Sequence, residues 1–310
     1  FIFGQLRSSN NYDTTVKRMG CGRNGFGGKL TNIFSKKFVL EVKDPNTKLH
    51  FKGTWINNMF KGDPDGKPEI EVKEDKEIEK GSVSVEWELD FERFKMTKYS
   101  ENDFKLFARY AVDFSFTCKI KTFFNGIELD FRNIKDYASL IWKEEEMENS
   151  FINYVWGEDT PKKIRNTNME NQNEFIREAK KVEHIPDIEI LVVDTPDNSR
   201  TISYVNGLVT IEGGVHLEAA QEPLMKHISS IINDSKSKSK KGIITSRNIK
   251  PHLSFIVNAR LIDPEYTSQT KTKLSSPSFT VSYPEKLIKD IENWNIINRL
   301  NAEVDAMAAG

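Results

Sequence analysis

The stretch GCGRNGFGGKL at residues 20–30 holds five glycines in eleven positions, and it decides how the rest of the chain is interpreted. Glycine permits positive φ and lets backbone N–H groups approach a ligand closely. Such a loop, beside Lys29 and with a helix predicted after it, is typical of an anion cradle. The Walker A motif does not fit, because it requires glycine at Arg23 and serine or threonine at Leu30. A glycine-rich surface turn stays open as the alternative.

Outward from this stretch, strand and helix patterns alternate along the chain. Residues 82–91 alternate apolar with polar side chains, which predicts a half-buried strand, and residues 253–262 are almost continuously apolar, which predicts a mid-sheet strand. The pair Asn125-Gly126 predicts a hairpin turn. Apolar residues at helical spacing predict helices through Phe104 and Phe114, Leu217 to Ile231, and Leu287 to Leu300. The class predicted is α+β, with two-layer α/β packing.

Composition limits the kinds of protein that this chain can be. Its 310 residues leave room for about two domains. The net charge of −1 indicates that any DNA contact is a local patch. Two separated cysteines exclude a disulfide framework and a four-cysteine zinc site. No apolar run approaches the roughly 18 residues of a membrane span, so no membrane partner is predicted. The opening residues lack the features of a signal peptide, and we expect a piece of a longer protein.

Residues 22–35, GRNGFGGKLTNIFS, resemble the ATP lid of the GHKL ATPases in the form found in eukaryotic-type topoisomerase II. The strings FKGTWINNM, FFNGIELDF and HLSFIVNARLIDPEYTSQTK follow in the order of that family. The resemblance implies the second half of a GHKL (Bergerat) ATPase domain over residues 1–135. It also implies a ribosomal-S5-like transducer domain over residues 136–310. Residues 143–187 match poorly, and we interpret them as an irregular insertion.

The resemblance also implies where a nucleotide binds. Backbone amides of residues 22–29 would wrap the triphosphate of ATP, and Lys29 would add charge. The Ser-Ser-Asn-Asn segment before the lid would contact the ribose and phosphates. The predicted ATP-binding residues of this part of the chain are Ser9, Asn10, Asn11, Gly22, Arg23, Asn24, Gly25, Phe26, Gly27, Gly28 and Lys29.

A second predicted site segment is SQTKTK at residues 268–273. On its own, Lys271 is typical of any solvated loop lysine. The resemblance implies instead that Gln269, Thr270 and Lys271 form a loop that reaches the ATP site, where Gln269 and Lys271 take part in catalysis. A lysine contact with the γ-phosphate would be lost on hydrolysis and would therefore bias two domain arrangements.

Other parts of the catalytic machinery are expected outside this chain. The resemblance implies a general-base glutamate and a Mg²⁺-binding asparagine on a helix before the lid, and no residue before Ser8 supplies them. Glu145 and Asn149 have the same spacing but follow the lid in an acidic run, which indicates a solvated helix. No metal ligand is therefore predicted here, and the DNA-cleaving tyrosine is expected in a later domain. His216 and His252 are predicted to pack or hydrogen-bond.

A basic tract lies at residues 235–242, SKSKSKKG. One interpretation is a flexible solvated loop. The resemblance implies a loop that faces double-stranded DNA, where lysines neutralise phosphates without reading sequence. The predicted DNA-binding residues are Lys236, Lys238, Lys240 and Lys241.

The function implied is the ATP-binding and ATP-hydrolysing gate of a type II DNA topoisomerase, which couples ATP to the passage of duplex DNA. The resemblance further implies a homodimer in the nucleus, or at a viral replication site if the source is a large DNA virus. A chaperone or mismatch-repair ATPase of the GHKL class is one alternative, and the string HLSFIVNARLIDPEYTSQTK argues against it. A non-catalytic module derived from the gate is the other, which the missing base leaves open.

Overall fold

In a computed structural model, the described residues are 2–5, 8–9, 18–22, 24–59, 68–155, 187–196, 198–235 and 243–309. They divide into two compact units. The first unit comprises Phe1–Thr15 and Gly22–Lys105, and the second comprises Val16–Cys21 and Leu106–Gly310. This division by contacts does not test the domain boundary predicted between residues 135 and 136, which stays a prediction.

The first unit is built on a four-stranded antiparallel sheet with the strand order β3-β2-β1-β4. A short helix precedes the sheet, and its strands follow in chain order: α1 (Gly27–Ile33), β1 (Ser35–Asp44), β2 (Leu49–Ile56), β3 (Glu69–Glu74) and β4 (Ser82–Leu89). Phe38 on the central strand pairs with Trp55 on one side and Trp87 on the other. Phe38, Leu40 and Trp55 form the small buried core of this unit. The strand predicted at residues 82–91 is confirmed.

The burial predicted for β4 differs from what the structure shows. Val83 is 67% exposed and Trp87 is 46% exposed, although the alternation of residues 82–91 predicts a half-buried strand. The reason is that β4 is an edge strand, and the described residues leave its apolar face uncovered. The alternation of apolar and polar residues therefore predicted that this segment is a strand, but not whether its apolar face is buried.

The second unit contains the remaining elements. They are α2 (Glu101–Cys118, whose first turn belongs to the first unit), β5 (Thr122–Phe124), β6 (Ile127–Leu129), α3 (Ile134–Ala138), β7 (Ser150–Val155), β8 (Asp187–Asp194), β9 (Thr201–Val205), β10 (Leu208–Val209), α4 (Val215–Ser235), α5 (Ser246–Ile249), β11 (Leu253–Arg260), β12 (Glu265–Tyr266), β13 (Leu274–Ser276), α6 (Glu285–Ile291) and α7 (Asn295–Ala309). Asn125 and Gly126 both take positive φ in the turn between β5 and β6, which confirms the predicted hairpin.

A five-stranded mixed sheet, in the order β10-β9-β11-β8-β7, forms the centre of the second unit. Strand β11 lies parallel to β9 and antiparallel to β8, and Phe255 and Ile256 on its two faces are fully buried. One face packs against helices α4, α6 and α7, and the other packs against α3 and the end of α2. Burying each such side chain contributes about 1.5–3 kcal/mol. The prediction of a mid-sheet strand at residues 253–262 is confirmed.

Helix α2 forms as predicted but buries a different face. Phe104 and Phe114, on the face predicted to be buried, are 50% and 51% exposed, whereas Asp113 is buried. The Asp113 carboxylate is satisfied there, because it accepts hydrogen bonds from Arg109 Nε at 2.8 Å and from Tyr137 Oη at 2.9 Å. A buried carboxylate is tolerable when it is paired in this way.

Two further predictions need correction. Within the segment interpreted as an irregular insertion, Ser150–Val155 forms β7, an edge strand paired with β8, while residues 156–186 lie outside the described part of the chain. The single predicted C-terminal helix is two helices, α6 and α7. The chain breaks between them at residues 292–294, where the Trp294 ring turns inward and packs 5.4 Å from the Phe151 ring.

Both histidines predicted to have packing or hydrogen-bonding roles are buried and hydrogen-bonded. His252 Nε2 lies 3.1 Å from Glu303 Oε1, and His216 Nε2 lies 3.1 Å from Thr210 Oγ1. Burial lowers the pKa of His216 to about 4. His216 is therefore neutral in the folded chain at neutral pH.

The lowered pKa of His216 predicts a loss of stability in acid. The unfolded histidine, with a pKa of about 6.5, binds more protons than the folded one between pH 6.5 and 4, so the free energy of unfolding falls as pH drops through this window. The shift corresponds to about 3 kcal/mol at the acid end. We expect denaturant unfolding of the His216→Gln variant to show a flatter pH dependence there. An unchanged slope would mean that other groups dominate.

Candidate nucleotide-binding site

Gly25 is the residue of the glycine loop that the backbone geometry constrains most. Its φ is +64°, in the left-handed region that favours glycine. A Cβ atom at this position would lie 2.3 Å from the Ser8 carbonyl oxygen and 2.9 Å from Lys29 Nζ. By contrast, a Cβ at Gly22 or Gly27 would meet none of the described residues within 4 Å. Gly25 therefore combines a positive φ with a close backbone contact that excludes a side chain, whereas Gly22 and Gly27 show neither constraint.

Lys29 connects the glycine loop to the segment before it. Only 2% of this residue is exposed, and its Nζ donates a hydrogen bond to the Ser8 carbonyl oxygen at 2.6 Å. An ammonium group has three protons, so this bond leaves donors for a phosphate oxygen. The structure thus shows Lys29 holding Ser8 beside Gly25. Its contact with the triphosphate stays a prediction.

Helix α1 begins at Gly27, so the last residues of the predicted loop are helical. Gly28 faces the Phe3 ring, where a Cβ would lie 2.7 Å from a ring carbon. Asn32 Nδ2 donates a hydrogen bond to the Phe3 carbonyl oxygen at 3.2 Å, and Asn32 is 1% exposed. Phe3, Ser8 and Asn32 thus fix the shape of the site, and nothing in the sequence pointed to them except their closeness to the glycines.

The structure brings together part of the predicted site. Ser9, Asn24 and Phe26 lie among the described residues of the first unit, with Gly25 and Lys29. The remaining predicted residues fall outside the described part of the chain, and nothing is assigned to them: Asn10, Asn11, Arg23, Lys236, Lys238, Lys240 and Lys241.

The loop that carries residues 269–271 belongs to the second unit and joins β12 to β13. Thr270 Oγ1 lies 2.7 Å from Ser268 Oγ, and the Lys271 N–H donates to the Ser268 carbonyl oxygen at 3.1 Å. Lys271 has a φ of +59°, which is unusual for a residue with a long side chain. Backbone strain of this kind clusters at functional sites, at a cost of about 1–3 kcal/mol. Lys48, Lys95 and Lys119 have a similar positive φ, so the turn alone does not distinguish Lys271, and its contact with a phosphate stays a prediction.

The described residues contain no group of three or more His, Cys, Asp or Glu side chains arranged to hold a metal ion. None of the helices in the described part of the chain has the length and apolar character needed to span a membrane.

Comparisons with known proteins show which family the chain belongs to. The profile of the DNA gyrase B family matches residues 133–304. DNA topoisomerase 2-alpha of Mus musculus is 31% identical over 306 residues, which is 96% of this chain and 18% of that protein. DNA topoisomerase 2 of Invertebrate iridescent virus 6 is 28% identical over 302 residues, which is 96% of this chain and 23% of that protein.

A solved structure shares the fold. The crystal structure of the ATPase region of Saccharomyces cerevisiae topoisomerase II superposes with a TM-score of 0.74 at 27% identity, covering 98% of this chain and 70% of that chain. The chain spans about a fifth of the length of the two curated relatives. The fold is therefore that of a GHKL ATPase domain with its transducer. The chain belongs to the DNA gyrase B family, within the ATPase region of eukaryotic-type topoisomerase II.

Proposed function

We propose that this chain is part of the ATP-operated gate of a type II DNA topoisomerase, with the glycine loop as its ATP lid. The observation that carries the proposal is Gly25, whose positive φ and contact with Ser8 fix a glycine where the lid of this family would bend. A glycine-rich loop lets backbone N–H groups approach an anion closely. Because the chain belongs to this family, we propose that the anion is the triphosphate of ATP.

The residues that would hold ATP are those predicted from the sequence, in two groups. The glycine loop offers backbone N–H donors, and Lys29 and Lys271 offer positive charge that matches a triphosphate. Magnesium, when bound, neutralises charge that develops on the phosphates. The residues predicted here to bind ATP include neither a protein ligand for the metal nor a general base. Residues 269–271 would meet the γ-phosphate, so they would distinguish ATP from ADP.

Double-stranded DNA is the partner that we propose for the gate, which would act as a homodimer. Relatives of this chain are named DNA topoisomerase 2 in both an animal and a virus. The nucleus or a viral replication site is accordingly the proposed location. The lysine tract at residues 236–241 supplies four positive charges within six positions, which suits contact with phosphates of any sequence.

The proposal predicts that duplex DNA stimulates ATP hydrolysis by the full-length protein. Replacing Lys236, Lys238, Lys240 and Lys241 together by alanine should leave basal hydrolysis intact and reduce the stimulation. Each lysine–phosphate contact releases counterions from the DNA when it forms. Loss of these contacts should therefore also make the stimulation less dependent on salt concentration. Hydrolysis is measured with and without DNA over a range of salt concentrations.

A matched control replaces four lysines elsewhere on the surface, such as Lys73, Lys76, Lys105 and Lys226, which are exposed and lie in ion pairs with neighbouring glutamates. That variant should retain full stimulation. If both variants behave alike, the tract is a solvated loop. If the wild-type protein neither binds nor hydrolyses ATP, the non-catalytic module is the better assignment.

A further inference from the structure

Residues 18–21, which lead into the glycine loop, contact the second unit rather than the first. The Arg18 N–H donates to Asp263 Oδ1 at 3.0 Å, and the Asp263 N–H donates to the Arg18 carbonyl oxygen at 2.7 Å. This reciprocal pair satisfies both backbone groups of Arg18. The backbone of Asp263 has a left-handed conformation, with a φ of +48°.

Asn206 makes the next contact from the turn between β9 and β10. Its Nδ2 donates to the Met19 carbonyl oxygen at 2.6 Å and to the Leu261 carbonyl oxygen at 2.8 Å. Its Oδ1 accepts from the Leu261 N–H at 2.8 Å. One amide side chain therefore joins the segment before the glycine loop to the residue that follows the central strand β11. An aspartate could not replace it, because a carboxylate has no proton for either carbonyl group.

Cys21 completes the set of contacts. Its Sγ lies 3.3 Å from Tyr266 Oη and 3.6 Å from the Val205 carbonyl oxygen. Burial raises the pKa of the Cys21 thiol, so it keeps its proton and can donate. Tyr266 is the last residue of β12, and the loop with residues 269–271 leaves the sheet directly after it. The same short hairpin therefore contacts the segment before the glycine loop and carries the loop with Lys271.

We propose that Asn206 and Asp263 are positioning residues that hold the start of the ATP lid on the transducer. We name residues 18–21 with Asn206, Asp263 and Tyr266 the lid anchor. Because Cys21 is bonded to Gly22, and one residue spans at most about 3.6 Å, the anchor restricts where the lid begins. A change at residues 269–271 is thereby transmitted to the lid through protein contacts as well as through the nucleotide. This inference rests on the proposed function, since it assumes that residues 22–29 close over ATP.

Hydrogen exchange of the lid in the full-length protein tests the anchor, with a non-hydrolysable ATP analogue bound. Asp263→Gly keeps the positive φ and removes the carboxylate, whereas Asp263→Asn keeps both the φ and the Oδ1 acceptor. Amides of residues 24–29 should exchange at least about fivefold faster in Asp263→Gly, the effect of one lost hydrogen bond, and near the wild-type rate in Asp263→Asn. The buried strand β11 should exchange equally slowly in all three proteins, which a general loss of structure would not allow.

A second variant keeps the test decisive if Asp263→Gly does not fold. Asn206→Asp retains the acceptor for Leu261 and tolerates the positive φ of 50°, but it turns an oxygen toward the Met19 carbonyl group. It should free the lid in the same way. If the analogue gives no lid protection in the wild-type protein, the proposed function fails. If the wild-type lid is protected and the folded variants protect it equally, the lid anchor is overturned while the ATP lid stands.

Discussion

Replacing Gly25 by valine in the full-length protein should abolish ATP-dependent passage of duplex DNA while DNA cleavage without ATP survives. A valine Cβ would lie 2.3 Å from the Ser8 carbonyl oxygen, and a backbone oxygen cannot move away cheaply. The left-handed φ of +64° adds about 1–2 kcal/mol for a residue with a Cβ, and more for a β-branched one. The loop must therefore change shape, and the N–H groups that we assign to the triphosphate lose their alignment.

A matched glycine separates this effect from a general intolerance of substitution. Gly20 lacks a positive φ, and a Cβ there would meet none of the described residues within 4 Å. Its own atoms make none of the hydrogen bonds assigned to the lid anchor, so Gly20→Ala should retain strand passage. The assays are relaxation of supercoiled DNA with ATP, and formation of cleaved DNA without it. Equal loss of both activities in Gly25→Val would indicate misfolding and contradict a specific role in nucleotide binding.

The parts of the fold that the sequence predicted well are those with local causes. The apolar run of β11 could only lie in a sheet buried on both faces, and Phe255 and Ile256 are buried there. Asn125-Gly126 forms its hairpin because both residues accept positive φ. Helix α4 follows its apolar spacing, with Leu224 and Ile228 fully buried.

The errors have a common physical origin, because burial depends on partners distant in the sequence. The apolar face of β4 predicted a covered strand, yet Trp87 lies half exposed on a sheet edge. The buried face of α2 carries Phe116, which stacks on Tyr137 of α3, and Asp113, whose hydrogen bonds come from Arg109 and Tyr137. The sequence does not indicate that the Asp113 carboxylate will be buried, because the tyrosine that donates a hydrogen bond to it lies 24 residues later.

The candidate site divides in the same way. The glycine loop was predicted from its residues and from resemblance, residues 269–271 from resemblance alone, and the roles of both stay predictions. The lid anchor was not found, because its partners Arg18 and Asp263 are 245 positions apart. A signal did exist: Asn206-Gly207 and Asp263-Pro264 are turn-forming pairs whose side chains or backbones accept unusual φ. The sequence does not indicate which segment of the chain those turns contact.

Removing the charge of Lys271 should weaken ATP far more than ADP in the full-length protein. The contact that we assign to Lys271 exists only while the γ-phosphate is attached, and a charge-assisted hydrogen bond contributes about 1.5–3 kcal/mol. Lys271→Ala should therefore lower the affinity for a non-hydrolysable ATP analogue by about ten- to a hundredfold. ADP affinity should barely change, because its phosphates would be held by the lid. Gln269→Ala should act in the same direction but more weakly, since glutamine is neutral.

The control must remove positive charge from the same loop without touching the proposed contact. Lys273 lies two residues further on, takes no unusual φ, and pairs through its carbonyl oxygen with the Thr267 N–H at 3.1 Å, so Lys273→Ala keeps the hairpin. Calorimetric titration of each variant with ADP and with the ATP analogue gives the two affinities directly. A general electrostatic attraction for nucleotides would make both lysine variants weaken both ligands alike. If Lys271 senses the γ-phosphate, only Lys271→Ala should lower the affinity for the ATP analogue more than the affinity for ADP. If Lys271→Ala binds both nucleotides as the wild type does, Lys271 does not sense the γ-phosphate.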